Sequence, residues 1–214
     1  MRDLLRRKAS RAPTGRAVAR SWRDDDLWAV DLELTGLDLR RDQIISYGAV
    51  PIRHGRIHLA DALYGLVGIT EPVPPRSSRI HGIRTQDLES APALDHAVAE
   101  LHSNIGPSPI VAHCAVIERT LLRSAYRRCG RTLSNEFVDT AVLAQAAIDE
   151  RFDGGSIALE YAAHALGVPV HRPHHALGDA VTTAHVLLAL ATRLERGLGG
   201  AALTTAALID ASVR

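Results

Sequence analysis

LWAVDLELTG, residues 27–36, is a short apolar run that closes on two acids and a turn. Its length and lack of helical period fit a strand buried inside a sheet, with an end that opens into a site. Asp31 and Glu33 stand two apart, so on a strand both carboxylates leave the same face and can share a cation. Without a cation such a pair repels. An isolated Asp-x-Glu is more often two solvated loop acids, and the stretch gains meaning only from what accompanies it. Thr35-Gly36 directly after the pair is a turn signal that lets a phosphate backbone come close.

Working outward, QIISYGAVPIRH (43–54) and RIHLADALYGLV (56–67) flank the turn signal His54-Gly55 and read as a second and third strand in a hairpin. Pro72, Pro74 and Pro75 break the pattern. LDHAVAELHSNIG (94–106) then sets Leu94, Ala97, Val98 and Leu101 on one helical face. PIVAH (109–113) is a fourth strand, followed by a helix to about Arg128 that Gly130 ends. After a short strand at 137–139 the chain turns helical, with IALEYAAHALG (157–167) and HALGDAVTTAHVLLALATRLERG (175–197) as amphipathic segments. A strand meander followed by alternating helices and strands predicts an α/β layer fold with a mixed sheet and flanking helices.

Other acids lie in contexts worth setting beside Asp31 and Glu33. Glu118 falls in IVAHCAVIERTLL (110–122), Asp139 in FVDTAVLA (137–144), and His174 and Asp179 in HHALGDAVTTA (174–184). Singly, each has an ordinary explanation. Asp179 opens a helix, where the dipole favours an acid, Glu118 reads as a surface acid, and a lone histidine is usually structural or solvated. Only the joint arrangement is specific.

That arrangement resembles the DEDDh 3'-5' exonucleases, the group that includes the proofreading subunit of bacterial replicative polymerases, and it looks closest to stand-alone bacterial members. The resemblance covers roughly residues 24–195. The family's D-x-E-T-T-G matches Asp31 to Gly36, its H-N-x-x-F-D matches His113 to Glu118, and its H-x-A-x-x-D-A matches His174 to Ala180. The Ile80 to Ile83 stretch and Asp139-Thr140 also resemble the family. Three positions depart from it: Leu34 stands for a threonine, Cys114 for the asparagine that supports the second motif's turn, and Glu118 for aspartate.

The resemblance implies the ribonuclease H-like fold and two-metal phosphodiester hydrolysis releasing nucleoside 5'-monophosphates, with DNA favoured over RNA. It implies that Asp31, Glu33 and Asp179 hold one Mg2+ or Mn2+, that Asp31 bridges to a second, and that Glu118 acts on this cluster. His174 is the implied general base, a task that imidazole chemistry suits. Leu34, Thr35, Gly36, His81 and His113 are the expected substrate contacts. Single-stranded or frayed nucleic acid 3' ends are the expected partners, with a DNA polymerase subunit as a further one. A catalytically weakened member that grips 3' ends or serves as a polymerase accessory module is the alternative, kept open by Leu34 and Glu118.

Length and composition set the bounds. A chain of 214 residues with 46% hydrophobic and 23% charged residues fits one globular domain. Its longest apolar run, VLLALA (186–191), is too short to span a membrane. Cys114 and Cys129 match neither a disulfide scaffold nor a zinc motif. Residues 1–23 carry seven arginines and Lys8 against one acid, Asp3, making a basic arm that either touches nucleic acid or folds onto the acidic remainder. Near-exclusive use of arginine over lysine is the codon bias of a high-GC bacterium, so a bacterial cytoplasm is expected. The organisation read from this is an arm at 1–23, an exonuclease domain at 24–195, and a tail or short helix at 196–214. Aromatic residues are only 4% of the chain, and Tyr47, Tyr64 and Phe137 are read as core.

Overall fold

A computed structural model describes residues 20–148 and 156–213. Most of the basic arm, residues 1–19, lies outside the described residues. The elements are β1 (Leu27–Leu34), β2 (Ile44–Arg53), β3 (Arg56–Ile57), β4 (Leu63–Leu66), α1 (Pro75–His81), α2 (Leu94–Ile105), β5 (Ile110–Ala112), α3 (Val116–Arg128), β6 (Phe137–Asp139), α4 (Thr140–Ile148), α5 (Leu159–Leu166), α6 (Ala176–Gly197) and α7 (Thr205–Ala211). The sheet runs β3-β2-β1-β5-β6, and β4 pairs with β2 alongside β3. β2 is antiparallel to its neighbours, whereas β1, β5 and β6 are parallel.

β1 is buried along almost its whole length and sends successive side chains to opposite faces of the sheet. Leu27 and Ala29 pack with Val50, Ile52, Val111 and Val138 under α4, α5, α6 and α7. Trp28, Val30, Leu32 and Leu34 pack on the opposite face against Val98 and Leu101 of α2 and Leu121 and Leu122 of α3. This is a mixed α/β sheet between helical layers, the predicted class. The core also reaches past the expected limits of 24 and 195. Trp22 is fully buried, its backbone N–H donates to the Leu203 carbonyl at 2.8 Å, and Leu203 and Leu208 share its cluster.

Two local expectations need correction. The third strand is not continuous, because after Ile57 the chain lifts into a 3-10 turn at Leu59–Asp61 before β4. Arg53 pins that turn through an ion pair with Asp61, so edge pairing stops and restarts. The proline-rich stretch also holds a short helix, α1. Pro75 sits at its start, where the missing N–H costs nothing, and Gly82 ends it at φ 77°.

Candidate active site

Asp31 and Glu33 continue the face of Leu27 and Ala29, so they point toward α6. The partner of Asp31 across the ladder is Gly48. A Cβ on Gly48 would stand 2.2 Å from the Leu177 nitrogen and 2.3 Å from the Ala176 carbonyl carbon. The missing side chain therefore lets the first turn of α6 seat directly on β2. Asp179, in that turn, is laid against β1, and ligand oxygens of Asp31, Glu33 and Asp179 lie within 4.8 Å of one another. The backbone N–H of His174 donates to Asp179 Oδ2 at 2.9 Å and fixes its rotamer.

Three carboxylates this close and this enclosed resist ionising together. Burial first, then the charges of Glu118, Asp179 and Glu33, push the Asp31 carboxyl well above its usual range. Burial and Asp179 raise Glu33 to about 7. Asp179 rises to about 6, chiefly from burial, with the His174 N–H working in the opposite direction. Glu118, from the first turn of α3, is only 4% exposed, and its Oε2 is buried without a hydrogen-bond partner among the described residues. Burial lifts its carboxyl to about 8. An all-oxygen set short of positive charge and holding an unpartnered oxygen fits a hard divalent cation.

The loop that carries Glu118 into place is held by Asp139. Its carboxylate accepts from the N–H groups of Cys114 at 3.1 Å and Ala115 at 2.9 Å, and from Ala141 at 2.9 Å at the start of α4. Cys114 takes the left-handed conformation, φ 64°, a position that favours asparagine among residues with side chains.

The remaining expected site residues divide. His174 lies on the exposed loop before α6 at φ 59°, close to Asp179, whereas His175 is the helix cap, its Nδ1 accepting from Gly178 N–H at 3.4 Å. His81 ends α1 with Nε2 buried and poorly partnered, and burial lowers its pKa. The charge of His174 adds to that lowering, so the two rings are neighbours. Leu34 is almost wholly buried.

His113, one of the expected substrate contacts, lies within the fold's own hydrogen-bond network. Its Nδ1 lies 3.0 Å from the Thr140 hydroxyl and its Nε2 2.6 Å from the Ile157 carbonyl, so both nitrogens are engaged in tying β5 to α4 and the approach to α5. Thr35 and Gly36 likewise turn inward. The Thr35 hydroxyl donates to Asp42 Oδ1 at 2.7 Å, and a Cβ on Gly36 would meet Asp42 Oδ2 at 2.5 Å. What this turn offers a ligand is the position of its backbone. The fully buried Ser46, across the ladder from Glu33, was not singled out from the sequence, and its hydroxyl has no partner among the described residues. Gly48 was also missed, and only the pairing register exposes either one.

A mixed sheet whose central strand brings two acids against a third from the last long helix defines a ribonuclease H-like protein with a nuclease-type acidic centre. The chain belongs to the exonuclease family: the family model described as "Exonuclease" matches residues 28–187. It is 34% identical over 160 residues to a DNA polymerase III PolC-type protein of Thermotoga petrophila, a match covering 74% of this chain and 11% of that protein. It is also 34% identical over 180 residues to a DNA polymerase III subunit epsilon-like protein of Rhodobacter capsulatus, covering 81% of this chain and 25% of that one. The chain thus spans a quarter or less of these relatives. Among solved structures, Exonuclease X in complex with 5' overhanging duplex DNA superposes with a TM-score of 0.66 at 21% identity, covering 87% of this chain and 99% of that one. No helix among the described residues is long and apolar enough to cross a membrane.

Proposed function

We propose that this protein is an active divalent-metal-dependent 3'-5' exonuclease that releases nucleoside 5'-monophosphates, acting on single-stranded or frayed ends of DNA in preference to RNA. The observation that carries the reading is the convergence of Asp31, Glu33 and Asp179 within 4.8 Å, beside the unpartnered Glu118 oxygen. Asp31, Glu33 and Asp179 would hold one Mg2+ or Mn2+, and Asp31 with Glu118 would reach a second. Bound there, the ions would lower the pKa of the attacking water and offset charge on the phosphate and the leaving 3' oxygen.

His174 takes the proton of that water as its oxygen bonds to phosphorus and the bond from phosphorus to the 3' oxygen breaks. Its exposed loop position leaves the imidazole free to move, while its backbone N–H holds Asp179. His175 is occupied as the helix cap and is not the base. His81, beside His174 and Leu34, closes the terminal-nucleotide side. A polymerase subunit remains part of the proposal as a partner.

The test is digestion of matched 5'-labelled DNA and RNA oligonucleotides with Mg2+ or Mn2+. The expected result is a ladder shortened from the 3' end, 5'-mononucleotide products, faster loss of DNA, and arrest by a chelator. A first product that is the labelled mononucleotide, or digestion undiminished by the chelator, would overturn the reading.

A further inference from the structure

Tyr64 does not belong to the core, contrary to its reading from the sequence. It stands on β4 opposite Gly48, which in turn stands opposite Asp31, so the three residues form one row across the sheet. Direct partners in antiparallel strands project to the same face, and Tyr64 accordingly meets the start of α6. Its ring stacks on His175 with centroids 4.5 Å apart and planes 17° from parallel, yet the residue is still 43% exposed. One face of the ring is thus packed, and much of the rest stays open to a ligand on the side of the sheet that carries Asp31.

A cation accompanies it. Arg172 is exposed, and it lies near enough to His175 for its charge to oppose protonation of that ring. It has no acidic partner among the described residues. The segment is built rather than loose: Arg172 and His174 both take positive φ, 33° and 59°. The His171 and Arg172 carbonyl oxygens press on Gly178, lying 2.4 Å and 2.6 Å from where a Cβ would be.

From the aromatic pair, the row that Tyr64 shares with Asp31 and a guanidinium with no acidic partner among the described residues, we infer that Tyr64 and Arg172 form a nucleic-acid contact outside the acidic centre. An unpaired base stacks on Tyr64 and the adjoining phosphate sits against Arg172. Two strand spacings put Tyr64 roughly 10 Å from Asp31, and the first turn of α6 sits on Gly48 between them, so the strand passes around that turn to reach the aromatic. Stacking on an aromatic tolerates any base, so the contact grips a strand without reading it. The inference rests on the nuclease reading for its choice of ligand.

The test uses the full chain and DNA oligonucleotides whose last 3' linkages are phosphorothioates, with 2-aminopurine placed in turn at each of the terminal positions. Quenching of the probe is expected at one internal position and not at the terminal nucleotide. Tyr64→Leu should abolish it and weaken binding roughly fivefold or more, while Tyr64→Phe keeps both. Arg172→Gln should flatten the salt dependence of binding by about the slope of one phosphate contact. No position-specific quenching, or quenching unchanged in Tyr64→Leu, would overturn the contact. An unmodified oligonucleotide run alongside separates the two readings. Degradation without quenching overturns the contact alone, and quenching without degradation keeps the contact and overturns the activity.

Discussion

Glu118 carries one methylene more than the aspartate usual at its position, and the structure gives the extra length a destination: a buried Oε2 beside the acid cluster with no partner of its own among the described residues. Glu118→Gln should therefore lower kcat by two orders of magnitude or more, whereas Glu118→Asp retains part of the rate. Steady-state rates on a labelled oligonucleotide decide this, and full activity in Glu118→Gln would make it a spectator. The two adjacent histidines also separate at this scale. His174→Ala should lose roughly 10²-fold to 10⁴-fold in kcat with metal binding retained. His175→Ala should mainly cost stability, at most about 1 kcal/mol for a lost helix cap. A severe rate loss in His175→Ala beside a near-normal His174→Ala would reverse the assignment. The motif residues were legible in the sequence because spacing on β1 and at the head of α6 fixes which way their side chains point. His113, Thr35 and Gly36 were legible as motif members, but their hydrogen bonds within the fold were not, because a pattern of residues does not say which partners the fold supplies.

At the scale of elements, the site depends on how closely α6 approaches β2. Gly48→Ala places a Cβ against the Leu177 backbone, which cannot yield as a flexible side chain would. Overpacking of this kind costs about 1–3 kcal/mol, and the shift is transmitted to Asp179 in the same turn. The variant should melt at lower temperature and bind Mn2+ more weakly, with its secondary structure intact by circular dichroism. Unchanged Mn2+ affinity would mean that the helix can retreat without moving Asp179. The sequence announced β1, the hairpin at His54-Gly55, α2, α3 and α6 through period and turn chemistry. It did not announce the break between β3 and β4, since the Arg53 to Asp61 ion pair that pins it joins residues on different elements. Nor did it show that Tyr64 faces outward, because an edge strand and a core strand share the same alternation.

Over the whole molecule, the acid cluster couples stability to pH. Glu33 at about 7, Asp179 at about 6 and Glu118 at about 8 all lie above their unfolded values near 4, so each favours the fold in its protonated form. That contribution is complete below about pH 4 and is lost as pH rises through 6 to 8. The metal-free melting temperature should fall across this window, and saturating Mg2+ or Mn2+ should flatten the decline by replacing protons with a cation. A metal-free melting temperature that rises from pH 5 to pH 8 would contradict the electrostatic account. Asp179→Asn removes one of the competing charges, so without metal it should be at least as stable as the wild type.

The most direct test of the central claim, that Asp31, Glu33 and Asp179 form the metal centre of a 3'-end nuclease, is release of mononucleotides from a 5'-labelled DNA strand by wild type, Asp31→Asn and Asp179→Asn under saturating Mg2+ or Mn2+. The account predicts progressive shortening from the 3' end by the wild type and loss of that activity in both variants, each still folded. Wild-type turnover that persists undiminished in either variant would contradict it.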